Sequence, residues 1–215
     1  MRTRITGLLW FLLMTVVTSG FADDIKAGDQ ELFNSIKHRP QLSRGAILIA
    51  GKNLNDPNFS RSVVLITEYT EIGTTGLIIN RPLNMAAQKV LPQIDRITPE
   101  AGNLYVGGPV GANNLQILVE TGHRFQQFES LTGDIYLVNN PRTFSSLAEH
   151  DDKNMKLRIY VGYAGWGIGQ LESEIIRGDW HIWHADSRIV FSEAPESVWQ
   201  ELIELVTVQW AEYNE

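Results

Sequence analysis

The sequence predicts an α+β fold, a single and mostly strand-built domain with peripheral helices that ends in a long amphipathic helix. Residues 46–50, 63–67 and 76–80 are short apolar runs rich in Ile and Val, each bounded by Gly, Pro, Asn or Asp. That is how strands buried on both faces read. Further strand-like runs follow at 104–106, 115–120 and 135–138, and one-sided alternation of Leu157, Ile159, Val161 and Tyr163 marks another over 157–163. Near the C-terminal end, Val198, Trp199, Leu202, Ile203, Leu205, Val206 and Trp210 form a broad apolar face with Glu201, Glu204 and Glu212 largely opposite. Such a helix covers a sheet or an interface.

In chain order, Arg2 and Arg4 precede an apolar segment over 5–17, and small residues at Gly20 and Ala22 then lead into Asp23 and Asp24. This is the order of a secretory signal peptide, predicted to be cleaved after Ala22. About 13 apolar residues are too few to cross about 30 Å of hydrocarbon comfortably, so no stable membrane span is expected once the segment is removed. The expected compartment is therefore the periplasm, with cytoplasmic retention or anchoring by an uncleaved segment as alternatives. Residues 23–43 read as a polar lead-in with a short amphipathic piece around Leu32, Phe33 and Ile36, and 44–215 as the folded domain. Within it, 85–91 suggests a short helix ended by Pro92, and 94–103 a loop. Asn140 ahead of Pro141 caps a predicted helix over 141–149. A short helix over 170–177 is closed by Gly178, and late strands are expected at 180–183 and 189–191.

The 215 residues carry 18 Lys and Arg against 25 Asp and Glu, a net charge of −7. Removing 1–22 takes away Arg2 and Arg4 and no acid, which moves the charge to −9. An acidic chain with scattered basic residues argues against a general nucleic-acid surface, since phosphate binding needs clustered Lys and Arg. There is no Cys, which excludes disulfides, thiolate metal ligands and cysteine nucleophiles together.

Several chemistries are tested by spacing. Gly162, Gly165, Gly167 and Gly169 follow a strand and precede a helix, but a dinucleotide fingerprint starting at Gly165 needs Gly where Gln170 stands. His181 and His184 sit three apart in a predicted strand and so face opposite ways, which speaks against a shared metal ion. His38, His123 and His150 have no companions at ligand spacing, and no Gly-x-Ser-x-Gly elbow or nearby His activates Ser60 or Ser62. Glu172 and Glu174 fall about 200° apart on a helix and read as solvated residues, not as an acid/base pair. No cofactor, metal or catalytic residue is assigned.

The polar connections are more informative. Asp56 precedes a Pro that sets turn geometry, and Asp and Asn side chains bond neighbouring backbone groups. Phe59 is expected to plug the core. Arg81 ends a hydrophobic strand with a fork of donors suited to a carboxylate or phosphate, or to pairing with Asp56 or Glu68. The ligand-binding set under test is Asp56, Asn58, Arg61, Asn80, Arg81, Gly107, Gly108, Trp166 and Gln170. The bland alternative is a well-capped loop.

The stretch from Gly45 to Leu83, with Tyr105 to Val110, Asp134 to Tyr136, Tyr163 to Glu174 and Trp180, closely resembles the signature of the AlgH/YqgE family of small bacterial proteins. The resemblance implies a mixed β-sheet core and, by the family's label, a transcriptional regulator in the cytoplasm; the apparent export signal departs from that pattern. Three function classes follow: a non-enzymatic module binding a small ligand or protein partner, a regulator, and an enzyme of unrecognised type using Asp56, Arg81 or Gln170.

Overall fold

The computed structural model describes residues 40–90, 102–125, 128, 130–139, 152 and 154–212. Every element below belongs to the compact unit Gln41–Glu215. The predicted signal peptide, the amphipathic lead-in and the helix over 141–149 lie outside the described residues, as do His38 and His150.

Among the described residues there are ten strands: β1 (Ala46–Ala50), β2 (Val63–Thr70), β3 (Gly73–Ile78), β4 (Pro82–Ala86), β5 (Asn103–Val106), β6 (Val110–Glu120), β7 (Ser130–Thr132), β8 (Ile135–Val138), β9 (Lys156–Trp166) and β10 (Trp180–His184). Three helices accompany them: α1 (Gln170–Ile176), α2 (Ser187–Val190) and α3 (Val198–Glu212). The strands form one curled sheet in the order β10-β1-β2-β3-β9-β6-β8-β7, with β5 joining β4 to β9. Its pairs are antiparallel except β5 with β9, so the sheet is mixed and the domain α+β. No helix among the described residues is long and apolar enough to cross a membrane.

The alternation of β1 explains why every residue in it is apolar. Ile47 and Ile49 face a core shared with Val198, Leu202, Ile203 and Val206 of α3. Leu48 and Ala50 face the opposite one, shared with Leu171 of α1, Trp166 and Trp180. A polar residue anywhere in β1 would be stranded between two apolar layers. Along β9 the one-sided alternation needs correction, because Arg158 and Tyr160 are buried as well as Leu157 and Ile159. The Arg158 guanidinium donates to the Val190 carbonyl at 2.8 Å and to that of Ser192, and lies 4.6 Å from the Tyr105 ring centroid. It is a buried cation satisfied by carbonyl oxygens and a ring face.

Two other expectations are overturned. The stretch from Met85 is no α-helix: Pro82–Ala86 is a strand held to β5 by Pro82 opposite Tyr105 and Ala86 opposite Asn103, and only Ala87–Lys89 forms a 3₁₀ turn. Pairing with β5 outweighs the helix-favouring Met-Ala-Ala run, as tertiary context commonly does. Residues 189–191 are not a strand. The Asp186 side chain accepts from the Ile189 amide at 3.1 Å, capping α2 and turning the chain into a helix before Phe191. Asn103 opens β5 where a loop is expected, and β7 carries no signal in so short a run.

At the sheet edge, β10 holds the half-buried His181, whose pKa desolvation lowers below the ordinary 6.5. Unfolding therefore takes up a proton as the pH falls below the unfolded value. The contribution is full above that value and is lost as pH falls through the folded-state one. Urea midpoints measured at about pH 7.5 and about pH 5.5 should fall further for the wild type than for His181→Gln. An equal fall in both would show that burial does not perturb this imidazole.

Candidate functional site

The loop between β1 and β2 is built by its own side chains. Asp56 Oδ1 accepts from the Asn58 amide at 2.7 Å, and the Asp56 carbonyl accepts from the amides of Phe59 at 3.0 Å and Ser60 at 2.7 Å. With Pro57 fixing φ at the next position, this is a tight Asx-type turn. Ser62 Oγ donates to the Phe59 carbonyl at 2.7 Å and closes the loop on itself. Arg61 is the one non-glycine residue with positive φ, +56°, among the described residues. An L-residue there carries strain of about 1–2 kcal/mol, so the surrounding bonds must hold it in place.

Those bonds come from the end of β3. Asn80, buried, accepts from the Val63 amide through Oδ1 at 2.8 Å and donates through Nδ2 to the Arg61 carbonyl at 3.0 Å. Arg81 donates to the carbonyls of Asn58 and, at 2.9 Å, Ser60. Burial lowers its pKa while Asp56 opposes the shift. Arg81 thus spends its fork on backbone carbonyls, and no hydrogen bond joins it to Asp56 or Glu68. Replacing Asn80 by Ala strands the buried Val63 amide and should cost about 1–3 kcal/mol in chemical denaturation. Asn80→Asp, which sets an acceptor against the Arg61 carbonyl, should cost more; equal stability of all three proteins would mean the loop is held elsewhere.

The loop then reaches a cluster of three rings. Phe59 stacks on Trp166 with centroids 5.8 Å apart and meets Trp180 edge-on at 5.7 Å, while the two indoles meet edge-on at 5.8 Å. Both indoles are buried and need acceptors. One oxygen of Glu174 supplies both: Oε2 accepts from Trp166 Nε1 and from Trp180 Nε1, each at 2.9 Å. Oε1 accepts from Gln170 Nε2 at 2.9 Å, and Gln170 Oε1 accepts from the Gly167 amide at 3.0 Å. Glu174 is therefore no solvated helix residue but the acceptor that joins β9, α1 and β10. The signal available in the sequence was the pair of flanking tryptophans, each of which would need an acceptor once buried.

The nine residues under test fall into three placements. Asp56, Asn58, Arg61, Asn80 and Arg81 lie together in one hydrogen-bonded clamp. Trp166 and Gln170 join it through Phe59. Gly107 and Gly108 belong to the sheet: the Ile78 amide donates to the Gly107 carbonyl and the Gly107 amide to the Val161 carbonyl, both at 2.8 Å. Beyond the clamp, Arg61 lies 5.6 Å from the Trp199 ring centroid, and Trp199 Nε1 donates to the Ala50 carbonyl at 2.8 Å, which ties the loop to α3.

The AlgH-like family model matches residues 47–211, a span that includes the clamp, the ring cluster and all but the last residue of α3. The chain belongs to the AlgH-like family. A UPF0301 protein of Mycobacteroides abscessus is 32% identical over 166 residues, covering 76% of this chain and 79% of that one. Among solved structures, a Corynebacterium diphtheriae protein superposes with a TM-score of 0.65 at 27% identity, over 80% of this chain and 90% of that chain. The solution structure of AlgH from Pseudomonas aeruginosa gives a TM-score of 0.58 at 30% identity, over 75% and 89%. The AlgH-like fold is thus shared, and the family's activity is uncharacterised.

Proposed function

We propose that this AlgH-like protein is a non-enzymatic binding or interaction module. The observation that carries the reading is the use to which the motif's polar side chains are put. Asn80, Arg81, Gln170 and Glu174 all hydrogen-bond within the chain, and Asp56 holds its own turn. A catalytic group must present a donor, acceptor or nucleophile to substrate; these groups hold loops and rings in place instead. The net charge of −7 gives the regulator reading little to grip DNA with.

The test is a panel of chromogenic esters, phosphoesters, peptides and glycosides given to the purified protein. No turnover beyond that of folded Asp56→Asn and Arg81→Lys variants is expected. Turnover that either substitution abolishes would make the protein an enzyme. Export to the periplasm with cleavage after Ala22 is part of the same proposal, supported by Arg2, Arg4 and the apolar run over 5–17. Sequencing the N-terminus of the protein from fractionated cells should return Asp23 in the periplasmic fraction. A cytosolic protein retaining Met1 would overturn it.

A further inference from the structure

The face that an interaction module would use is marked by apolar side chains where turn chemistry does not call for them. The β2–β3 hairpin turns through Glu71 and Ile72, and Ile72 is 85% exposed. The β9–α1 connection runs Gly167-Ile168-Gly169, and Ile168 is 77% exposed. Tight turns favour Gly, Asn, Asp and Ser, and a β-branched residue at such a tip gains nothing locally by projecting into water. The two tips leave the same end of the sheet, because the last pair that joins β3 to β9 sets Thr74 opposite Trp166, two residues short of each isoleucine. A Cβ added to Gly73 would lie 2.8 Å from the Trp166 carbonyl oxygen, so the backbones stay close there.

The patch reaches the first turn of α1, which carries Glu172. The Glu172 carboxylate lies near the Tyr69 hydroxyl and raises its pKa. Tyr69, Ile72 and Ile168 thus stand at one end of the sheet, with the exposed Glu71 and the half-exposed Glu172 beside them. The basic residue near the end of α1, Arg177, is paired with Asp179 at 2.7 Å. Beneath the corner, Glu174 and the Phe59-Trp166-Trp180 cluster hold β9 and α1 rigid, so the surface is presented already formed. Isolated exposed apolar residues are ordinary, whereas several at one end of a sheet mark a contact surface.

We propose that this corner is a docking surface for a partner segment whose apolar side chains are flanked by Lys or Arg. The acidic margin selects the charge, and the isoleucine tips supply the burial. The proposal rests on the interaction-module reading and gives it a surface and a partner chemistry.

The experiment uses two labelled synthetic 12-residue peptides, one alternating Leu and Lys and one alternating Leu and Glu, titrated with the full chain and followed by fluorescence anisotropy. The Leu/Lys peptide should bind and the Leu/Glu peptide should not. Ile72→Ser with Ile168→Ser should weaken binding at least about tenfold, the size expected for losing two buried isoleucines. Both sites are exposed turn tips, so circular dichroism should be unchanged. Leu205→Ser with Val208→Ser, on the exposed side of α3, should leave affinity as it was. Equal binding of both peptides, or an undiminished affinity of the Ile72/Ile168 variant, overturns the surface. Dimerisation in sedimentation velocity that the same variant abolishes also overturns it, by making a second copy the occupant. Each of these failures leaves the module reading standing, because that reading falls only to substrate turnover.

Discussion

Glu174→Ala is expected to lower the unfolding free energy by about 3–5 kcal/mol, because it strands two buried indole donors at once. Trp166 and Trp180 are 5% and 2% exposed, so neither N–H finds water when the carboxylate is removed. An unsatisfied buried donor costs about 1–3 kcal/mol, and the loss of the methylene contacts between α1 and the rings adds to two such penalties. Gln170 loses its partner too, which loosens the Gly167 turn that it holds through Oε1. Glu174→Gln should cost far less, about 1 kcal/mol. Its carbonyl oxygen still serves both indoles, but its NH₂ faces Gln170, whose amide must then flip and release the Gly167 amide. Urea denaturation followed by tryptophan emission reads both effects, as a lower midpoint and as a loss of the native spectrum. If Glu174→Ala unfolds at the wild-type midpoint, the carboxylate is not what joins the two tryptophans.

How much of this was legible in the sequence depends on whether a residue's partner is local. β1 shows itself because strand alternation between two cores leaves no polar position in Ala46–Ala50. The Asp56 turn shows itself because its bonds run two to four residues along the chain. Asn80 is visible as a polar end to an apolar strand, but its service to Val63 and Arg61 depends on β2 and β3 lying side by side. Glu174 was hidden for a similar reason. A glutamate on a short helix reads as solvated, and only the approach of β9 and β10 on either side of α1 turns it into a shared acceptor. In Pro82–Ala86 the local preference itself misleads, since strand pairing with β5 overrides the propensity of Met and Ala for helix.

The same lesson governs the Gly107-Gly108 pair, where the wrong reason for a glycine would predict a mild mutant and the right one a severe result. Were these glycines lining a pocket, Gly108→Ala would narrow it and leave the fold alone. The structure places the backbone of β9 in the way. A Cβ on Gly108 would fall 2.2 Å from the Tyr163 carbonyl carbon and 2.3 Å from the Ala164 nitrogen, and φ at Gly108 is +154°. Gly107 is as tight, its Cβ 2.3 Å from the Gly162 carbonyl oxygen, and Gly162 in turn would meet the Gly108 oxygen at 2.6 Å. These contacts are backbone on backbone, so no side chain can swing aside. Relief requires pushing apart the strands where β3 and β9 are joined through Gly107. Gly108→Ala is accordingly expected to cost more than about 4 kcal/mol, a large share of the stability of an ordinary domain, and to leave most of the protein unfolded at room temperature. Gly122 provides the control, because a Cβ there meets nothing within 4 Å. Gly122→Ala should be neutral or stabilise by up to about 1 kcal/mol through the unfolded chain. Far-ultraviolet circular dichroism with thermal melting separates the two, and a folded Gly108→Ala protein melting beside the wild type would refute the close approach of the Gly107-Gly108 backbone to β9.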